Sequence, residues 1–281
     1  MNVAHFRPIP SLPGLGPRLA RPDLAPFAPR WGLQREEPRA TVAVRLYLLR
    51  EGKLGVASRQ VQPGTAIAAA ALGQLLAGPS GADMAAGLST AVPVGTRLLG
   101  ASESRGTVAV ELTRAFAGSA GTLPLAAPLA QVVYTLTQFP GVSGAWVNID
   151  GRPVGQLGRP LGRADFEDMA PAVLVEQPLP GQVLKTPVAV SGTVRASLAA
   201  FGFELVSSAG DVLARRLLRP GAVAGARGGF SCLLPYSVPR STRGTLVVFS
   251  VPAKGGSRDV VRVPVRLLGP GRADLPVPEA A

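Results

Sequence analysis

Few side chains in this sequence could carry chemistry. Histidine occurs once, at His5, and cysteine once, at Cys232. A serine or cysteine nucleophile activated by histidine would have to recruit His5, from a stretch crowded by prolines at positions 8, 10, 13, 17, 22, 26, 29 and 38. One cysteine and one histidine also exclude a disulfide within the chain and a Cys/His metal site. Carboxylates remain. Glu103 and Glu111 flank one expected hairpin, where nothing suggests the burial that raises the pKa of a general acid. Asp165, Glu167 and Asp168 lie close together but lack the spacing of a calcium-binding EF-hand loop, and read as linker acidity. Gly14-Leu15-Gly16 and Gly78-Pro79-Ser80-Gly81 resemble phosphate loops only in glycine content, without the GK[ST] ending between strand and helix. Tyr134 and Trp146 read as core or rim residues rather than ligand platforms. The expectation is a protein with no catalytic residues, no cofactor and no metal, hence not an enzyme, whose binding residues the sequence leaves unassigned.

Composition sets the frame in which those residues are held. The 281 residues include 34 Gly and 28 Pro, with 47% hydrophobic and 16% charged residues, enough apolar material for a buried core. The net charge of +12 comes from 26 Arg, 3 Lys and 17 acids. It is spread as +3 over residues 1–40, +4 over 41–165 and +5 over 166–281, and no basic run exceeds Arg215-Arg216. A nucleic-acid footprint clusters on one face or arm, so no nucleic-acid partner is expected. Ala115 to Ile149 carries no charge. Pro124, Pro128, Pro140, Gln131 and Gln138 interrupt it well short of the ~20 apolar residues of a membrane span, so it reads as a buried segment of a soluble domain. No apolar run of roughly 7–15 residues follows a basic start, and no cysteine near the start could be lipidated. Residues 1–40 read as a disordered Pro-rich arm, and 270–281 as a loose tail.

Between them lie two folded units. From Thr41, Val42, Val44, Leu46 and Leu48 alternate with Ala43, Arg45, Tyr47 and Leu49, the period of a strand. A second stretch (54–60) leads to Pro63-Gly64, and Thr65 is placed to cap a helix whose face carries Ile67, Ala68, Ala71, Leu72, Leu75 and Leu76. Gly78-Pro79 stops it. After a loop (80–95), a hairpin pairs 96–102 with 107–112. A second helix spans about 125–138, with Pro128 tolerable only in its first turn, and a strand follows at 144–149. The order β-α-β-β-α-β predicts a split βαβ-type α/β domain with two helices on one face of a small sheet. Three strings carry a resemblance: Leu75-Leu76-Ala77-Gly78-Pro79, Ala91-Val92-Pro93-Val94-Gly95-Thr96, and the run from Gln131 to Val142, QVVYTLTQFPGV. They resemble the GerMN domain of sporulation and spore-germination proteins, over about residues 41–155. The resemblance implies an α/β module used in protein–protein assembly at the cell envelope.

Residues 156–170 read as a linker. Over 171–269, strands are expected at 173–176, 188–194, 201–207, 212–217, 229–234, 244–251 and 258–267, with hairpin turns at Ser208-Ala209-Gly210-Asp211 and Lys254-Gly255-Gly256-Ser257. Seven short strands without a helical pattern predict an immunoglobulin-type β-sandwich, making the chain α+β overall. Cys232 falls within a strand and reads as a small buried hydrophobe. Val175 to Val183 (VEQPLPGQV), Pro187 to Val194 (PVAVSGTV) and Phe203-Glu204 resemble Gmad2, the immunoglobulin-like domain of bacterial spore germination, which commonly follows GerMN. The tandem implies a non-enzymatic envelope- or spore-associated interaction protein whose partners are other envelope or spore-assembly proteins or further copies of itself. A cell-wall glycan or peptidoglycan-binding module is the alternative. An extracytoplasmic or membrane-associated location follows from the resemblance, although the sequence shows neither signal peptide nor anchor.

Overall fold

Alternating and helical periods place the elements of the first domain, and hydrogen bonds outside those periods close it. The computed structural model describes residues 40–64, 66–118, 124–154, 158–221, 226–253 and 258–270. Strand β1 (Val42–Arg50) turns at Glu51-Gly52 into β2 (Lys53–Val61), and the two form a sheet of their own. Helix α1 (Ile67–Leu76) buries Ala68, Ala71, Leu72 and Leu75 and ends before Gly78, whose φ of +85° is the left-handed conformation glycine supplies without strain. Thr65, expected as its cap, lies outside the described residues. A one-turn helix α2 (Gly81–Ala85) breaks the expected loop. Strands β3 (Leu98–Ser104) and β4 (Thr107–Leu112) make the expected hairpin.

Helix α3 (Ala126–Leu136) carries the chain from β4 to the parallel strand β5 (Gly144–Ile149), a βαβ crossover. Pro128 sits in the first turn of α3, where its missing N–H leaves no helical bond unmade. A turn at Asp150-Gly151 adds a three-residue strand β6 (Arg152–Val154), giving the order β3-β4-β5-β6. The split βαβ-type domain is thus present, with the first hairpin paired apart from the main sheet. One core gathers both: Leu46 and Leu48 of β1, Leu72 of α1, Val110 of β4, Leu136 of α3 and Val147 of β5 are each at most 1% exposed.

The second domain is the expected sandwich. Its strands are β7 (Val173–Gln177), β8 (Val183–Leu184), β9 (Val188–Arg195), β10 (Leu198–Ser207), β11 (Val212–Leu218), β12 (Arg227–Leu234), β13 (Thr242–Pro252) and β14 (Val260–Leu267). They form a five-stranded sheet, β11-β10-β13-β14-β8, facing a three-stranded one, β12-β9-β7. Between the sheets lie Phe201, Phe203, Leu205, Leu246, Val248 and Leu267. Gly192 on β9 permits the close passage of β7, because a Cβ there would lie 2.0 Å from the Leu174 carbonyl oxygen. Cys232 is half-buried against this core, and burial pushes its thiol pKa up. The turn at Ser208 to Asp211 is present, with Gly210 at φ +96°. The turn expected at 254–257 lies outside the described residues.

The segment expected as a linker is packed where it is described. Leu161 pairs with Ala145 through two backbone hydrogen bonds of 2.8 Å. A 3-10 segment, Arg163–Met169, follows, and Phe166, Ala170 and Leu174 join the first domain's core. The described residues from Ala40 onward constitute one compact unit.

Candidate functional site

Several of the residues suspected of chemistry hold the fold together. Glu111 accepts from the Gly151 N–H at 2.7 Å and so anchors the β5–β6 turn, while Glu103 is exposed on β3. Asp165 accepts from Arg159 and from the Gly162 N–H, and the Arg159 hydrogen bond holds its carboxyl below the usual range. Glu167 faces Arg195 and Arg227, and the Asp168 carbonyl accepts from Lys53 Nζ at 2.5 Å. The carboxylates of Asp165 and Glu167 therefore meet different arginines, and Asp168 contributes its backbone carbonyl. Among the described residues no group of three or more His, Cys, Asp or Glu is gathered as a metal site. Ser80 caps α2 in a reciprocal capping box with Asp83, which also pairs with Arg59. Gly78-Pro79-Ser80-Gly81 is thus a helix stop followed by a helix start. Gly14-Leu15-Gly16 and His5 lie outside the described residues. Tyr134 is buried, and Trp146 is half-buried on β5.

Two arrangements that the sequence reading missed organise the molecule. The first closes the outer edge of β1. On α3 and just beyond it, Gln131, Thr135 and Gln138 recur at helical spacing and meet alternate residues of the strand. Gln138 accepts from the Arg45 N–H and donates to the Arg45 carbonyl, each at 2.7 Å. Thr135 Oγ1 accepts from the Tyr47 N–H at 3.2 Å, and Gln131 Nε2 donates to the Tyr47 carbonyl at 3.1 Å. Gln131 Oε1 also accepts from the Ala91 N–H at 2.7 Å. Gln131 and Thr135 are fully buried, and their side chains take the place of a neighbouring strand. The pair exchange between Leu49 and Ser89 completes the closure. The signal was present in the string Gln131 to Val142 as a polar stripe beside the apolar one.

The second arrangement fastens the domains together. Tyr47 on β1 donates its hydroxyl to Glu176 on β7. Arg163, between the domains, donates to Glu176 at 2.8 Å, to Tyr47 Oη at 3.2 Å and to Thr137 Oγ1 at 2.9 Å. The Arg163 guanidinium also lies 4.8 Å from the Tyr134 ring centre and 5.3 Å from that of Tyr47. Burial pushes the Glu176 carboxyl up, but the Arg163 charge and the Tyr47 hydrogen bond oppose it, and the net position is below the usual carboxylate range. Burial pushes the Tyr47 phenol well up, so it stays a protonated donor.

Beside this fastening is a cleft of about 430 Å³ between the start of β2 and the sandwich, lined by Arg50, Lys53, Val56, Leu174, Arg195 and Arg258, among others. Its cations are engaged: Arg50 donates to the carbonyls of Ala86 and Arg262, and Lys53 to that of Asp168.

The sheet edges are treated unequally. At one end of the four-stranded sheet β6 is short and carries Arg152 and Pro153, features that discourage a further strand. At the other, β3 is exposed from Leu99 to Ser104, holds neither lysine nor proline, and is hydrogen-bonded on one side, to β4, among the described residues.

Fold and surface define a two-domain protein, an α/β module packed against an immunoglobulin-type sandwich. Residues 45–155 match the family model described as Germane, sporulation and spore germination, and residues 172–257 match Gmad2, the immunoglobulin-like domain of bacterial spore germination. The chain is a Germane domain followed by a Gmad2 domain. Among solved structures it is similar to the first GerMN domain of the sporulation protein GerM from Bacillus subtilis, at 19% identity and a TM-score of 0.34, covering 44% of this chain and 96% of that one. It is similar to the tandem GerMN domains of the same protein at 13% identity and TM-score 0.36, covering 82% of this chain and 61% of that one. A putative lipoprotein from Clostridium perfringens aligns at 19% identity and TM-score 0.32, over 47% of this chain and 94% of that one. No curated protein matches the chain. Among the described residues no helix is long and apolar enough to cross a membrane.

Proposed function

We propose that this protein is a non-enzymatic docking module of sporulation or spore germination, associated with the cell envelope, that binds another assembly protein by adding a strand to β3. The observation that carries the reading is the contrast between edges. The edge of β1 is sealed by Gln131, Thr135 and Gln138, and β6 is short and proline-bearing, whereas β3, past an irregularity between Leu98 and Gly100, offers the regular, exposed edge Gly100 to Ser104. A free edge is a template for β-augmentation, in which main-chain hydrogen bonds supply affinity. The dispersal of the carboxylates and the family match support a role without catalysis. A glycan-binding module would need an exposed aromatic platform; among the described residues Tyr47, Tyr134 and Tyr236 are buried and Trp146 is half-buried.

The test is affinity capture from sporulating cells with wild-type protein and with Leu99→Lys/Ser102→Lys, which places on β3 the charges that natural edges use against pairing. Retention of the same partner by the folded double variant would contradict the reading. Capture of purified cell wall by both proteins would favour the glycan alternative.

A further inference from the structure

The sequence spreads its positive charge thinly, but the five-stranded sheet collects it. Along β10, β11, β13 and β14 the side chains of Phe201, Phe203, Leu205, Leu246 and Val248 point into the core, so the residues alternating with them face outward. Cross-strand register puts Arg215 beside Glu204, Glu204 beside Val247 and Val247 beside Arg262 in one row. A second row sets Arg243 directly opposite Arg266, with Val183 of β8 beyond it. Arg258 covers the ring of Phe249 at 3.7 Å. Among the described residues the outward face thus carries five arginines against the single carboxylate of Glu204, which pairs with Arg215 at 2.8 Å. Arg243, Arg262 and Arg266 enter no ion pair among the described residues.

Two features give this face a ligand. Like charges directly opposite on an antiparallel pair destabilise a sheet, so the Arg243–Arg266 pair costs stability unless an anion bridges it. The pair lines a shallow depression of about 350 Å³ with Ser208 and Thr245, and among the described residues no acidic one lines it. The nearby Asp211 is turned to the hydroxyl of Ser207. Exposed aliphatic side chains share the face with the arginines: Val183, 51% exposed, lies beside Arg266, and Leu217 (62%), Val260 (40%) and Val251 (36%) lie toward the other end of the strands. Arginine among exposed aliphatics on a broad sheet is the composition of a surface that meets headgroup phosphates and the outer acyl boundary together. A soluble polyanion would use the cations and leave the aliphatics idle.

We infer that the outer face of the five-stranded sheet docks on an anionic phospholipid bilayer, with a lipid phosphate held between Arg243 and Arg266. This surface is separate from β3 and does not depend on the strand-addition reading.

The experiment is flotation of the full chain with vesicles of phosphatidylglycerol and phosphatidylcholine, against vesicles of phosphatidylcholine alone. The proteins compared are wild type, Arg243→Gln/Arg266→Gln, and Arg97→Gln/Arg114→Gln, which removes the same charge from exposed positions on the first domain. Each cation near a charged bilayer contributes about fivefold in affinity, so the first variant should bind anionic vesicles about 30-fold more weakly than wild type. The second variant should change binding far less, and neutral vesicles should retain none of the three. Equal losses in both variants would reduce the effect to net charge and overturn the site. Failure of wild type to float with anionic vesicles, or binding of soluble polyglutamate as tightly as those vesicles, would overturn the lipid assignment. Matching thermal melts of the three proteins separate loss of binding from loss of fold.

Discussion

At the residue scale, the decisive group is Arg163. It sits partly buried between two tyrosine rings and a carboxylate, and removing it would leave Glu176 charged and underpaired. Arg163→Met should cost about 3 kcal/mol in denaturant unfolding, and Arg163→Met/Glu176→Leu should recover part of that loss, because no uncompensated charge then remains. The pH dependence has a definite sign. The folded pKa of Glu176 is depressed, so its contribution is fully present above the ordinary carboxylate pKa of about 4.3 and fades as pH falls through the lower folded value. The stability difference between wild type and Glu176→Gln should therefore hold at neutral pH and shrink below about pH 4; a difference independent of pH would contradict the assignment. None of this was legible beforehand. Tyr47 and Glu176 are 129 residues apart, and Tyr47 falls on the polar side of an alternating strand, so only tertiary packing reveals why it is buried. The spacing of the suspect acids fits no metal loop, but the partners that Asp165 and Glu167 take up in the fold were not legible in it.

Among elements, the major strands and both long helices lie close to where the period of two and the helical repeat put them, because each is long enough to show its period. The three-residue β6, the two-residue β8 and the single turn of α2 are too short to show one. The pairing of the first hairpin apart from the main sheet was likewise not legible, since hydropathy marks a buried face without naming the strand's neighbour. What seals β1 instead is a side-chain stripe. Gln131→Leu would leave the Ala91 N–H and the Tyr47 carbonyl without those partners, a loss of about 1–3 kcal/mol for each buried polar group left unsatisfied. Faster amide exchange at Ala91 is the measurement, and unchanged protection there would contradict the role given to Gln131. On the other domain, the like-charged cross-strand pair makes the opposite prediction: without anionic ligand, Arg243→Gln should keep stability unchanged or raise it by roughly a few tenths of a kcal/mol, read as an equal or slightly higher melting temperature.

Across the whole molecule, the two domains share a boundary rather than a tether. Phe166, Ala170 and Leu174 belong to the first domain's core although they lie at the entry to the second, and Arg163 locks the seam. The account predicts one cooperative thermal transition by calorimetry for wild type, and separation into two for Arg163→Met; two transitions in wild type would contradict a rigid unit. The tandem order of the domains was legible from their strings of residues. The basic face was not, because its arginines are spread over β11, β13, β14 and the approach to β14, and only the sheet register brings them together. The central claim remains that β3 is the docking edge. Its most direct test is a photo-crosslinking residue placed at Ser102 on β3, and separately at Arg152 on β6, in sporulating cells. The account predicts a discrete crosslinked partner from position 102 and none from position 152. Equal crosslinking from both edges, or from neither, would contradict it.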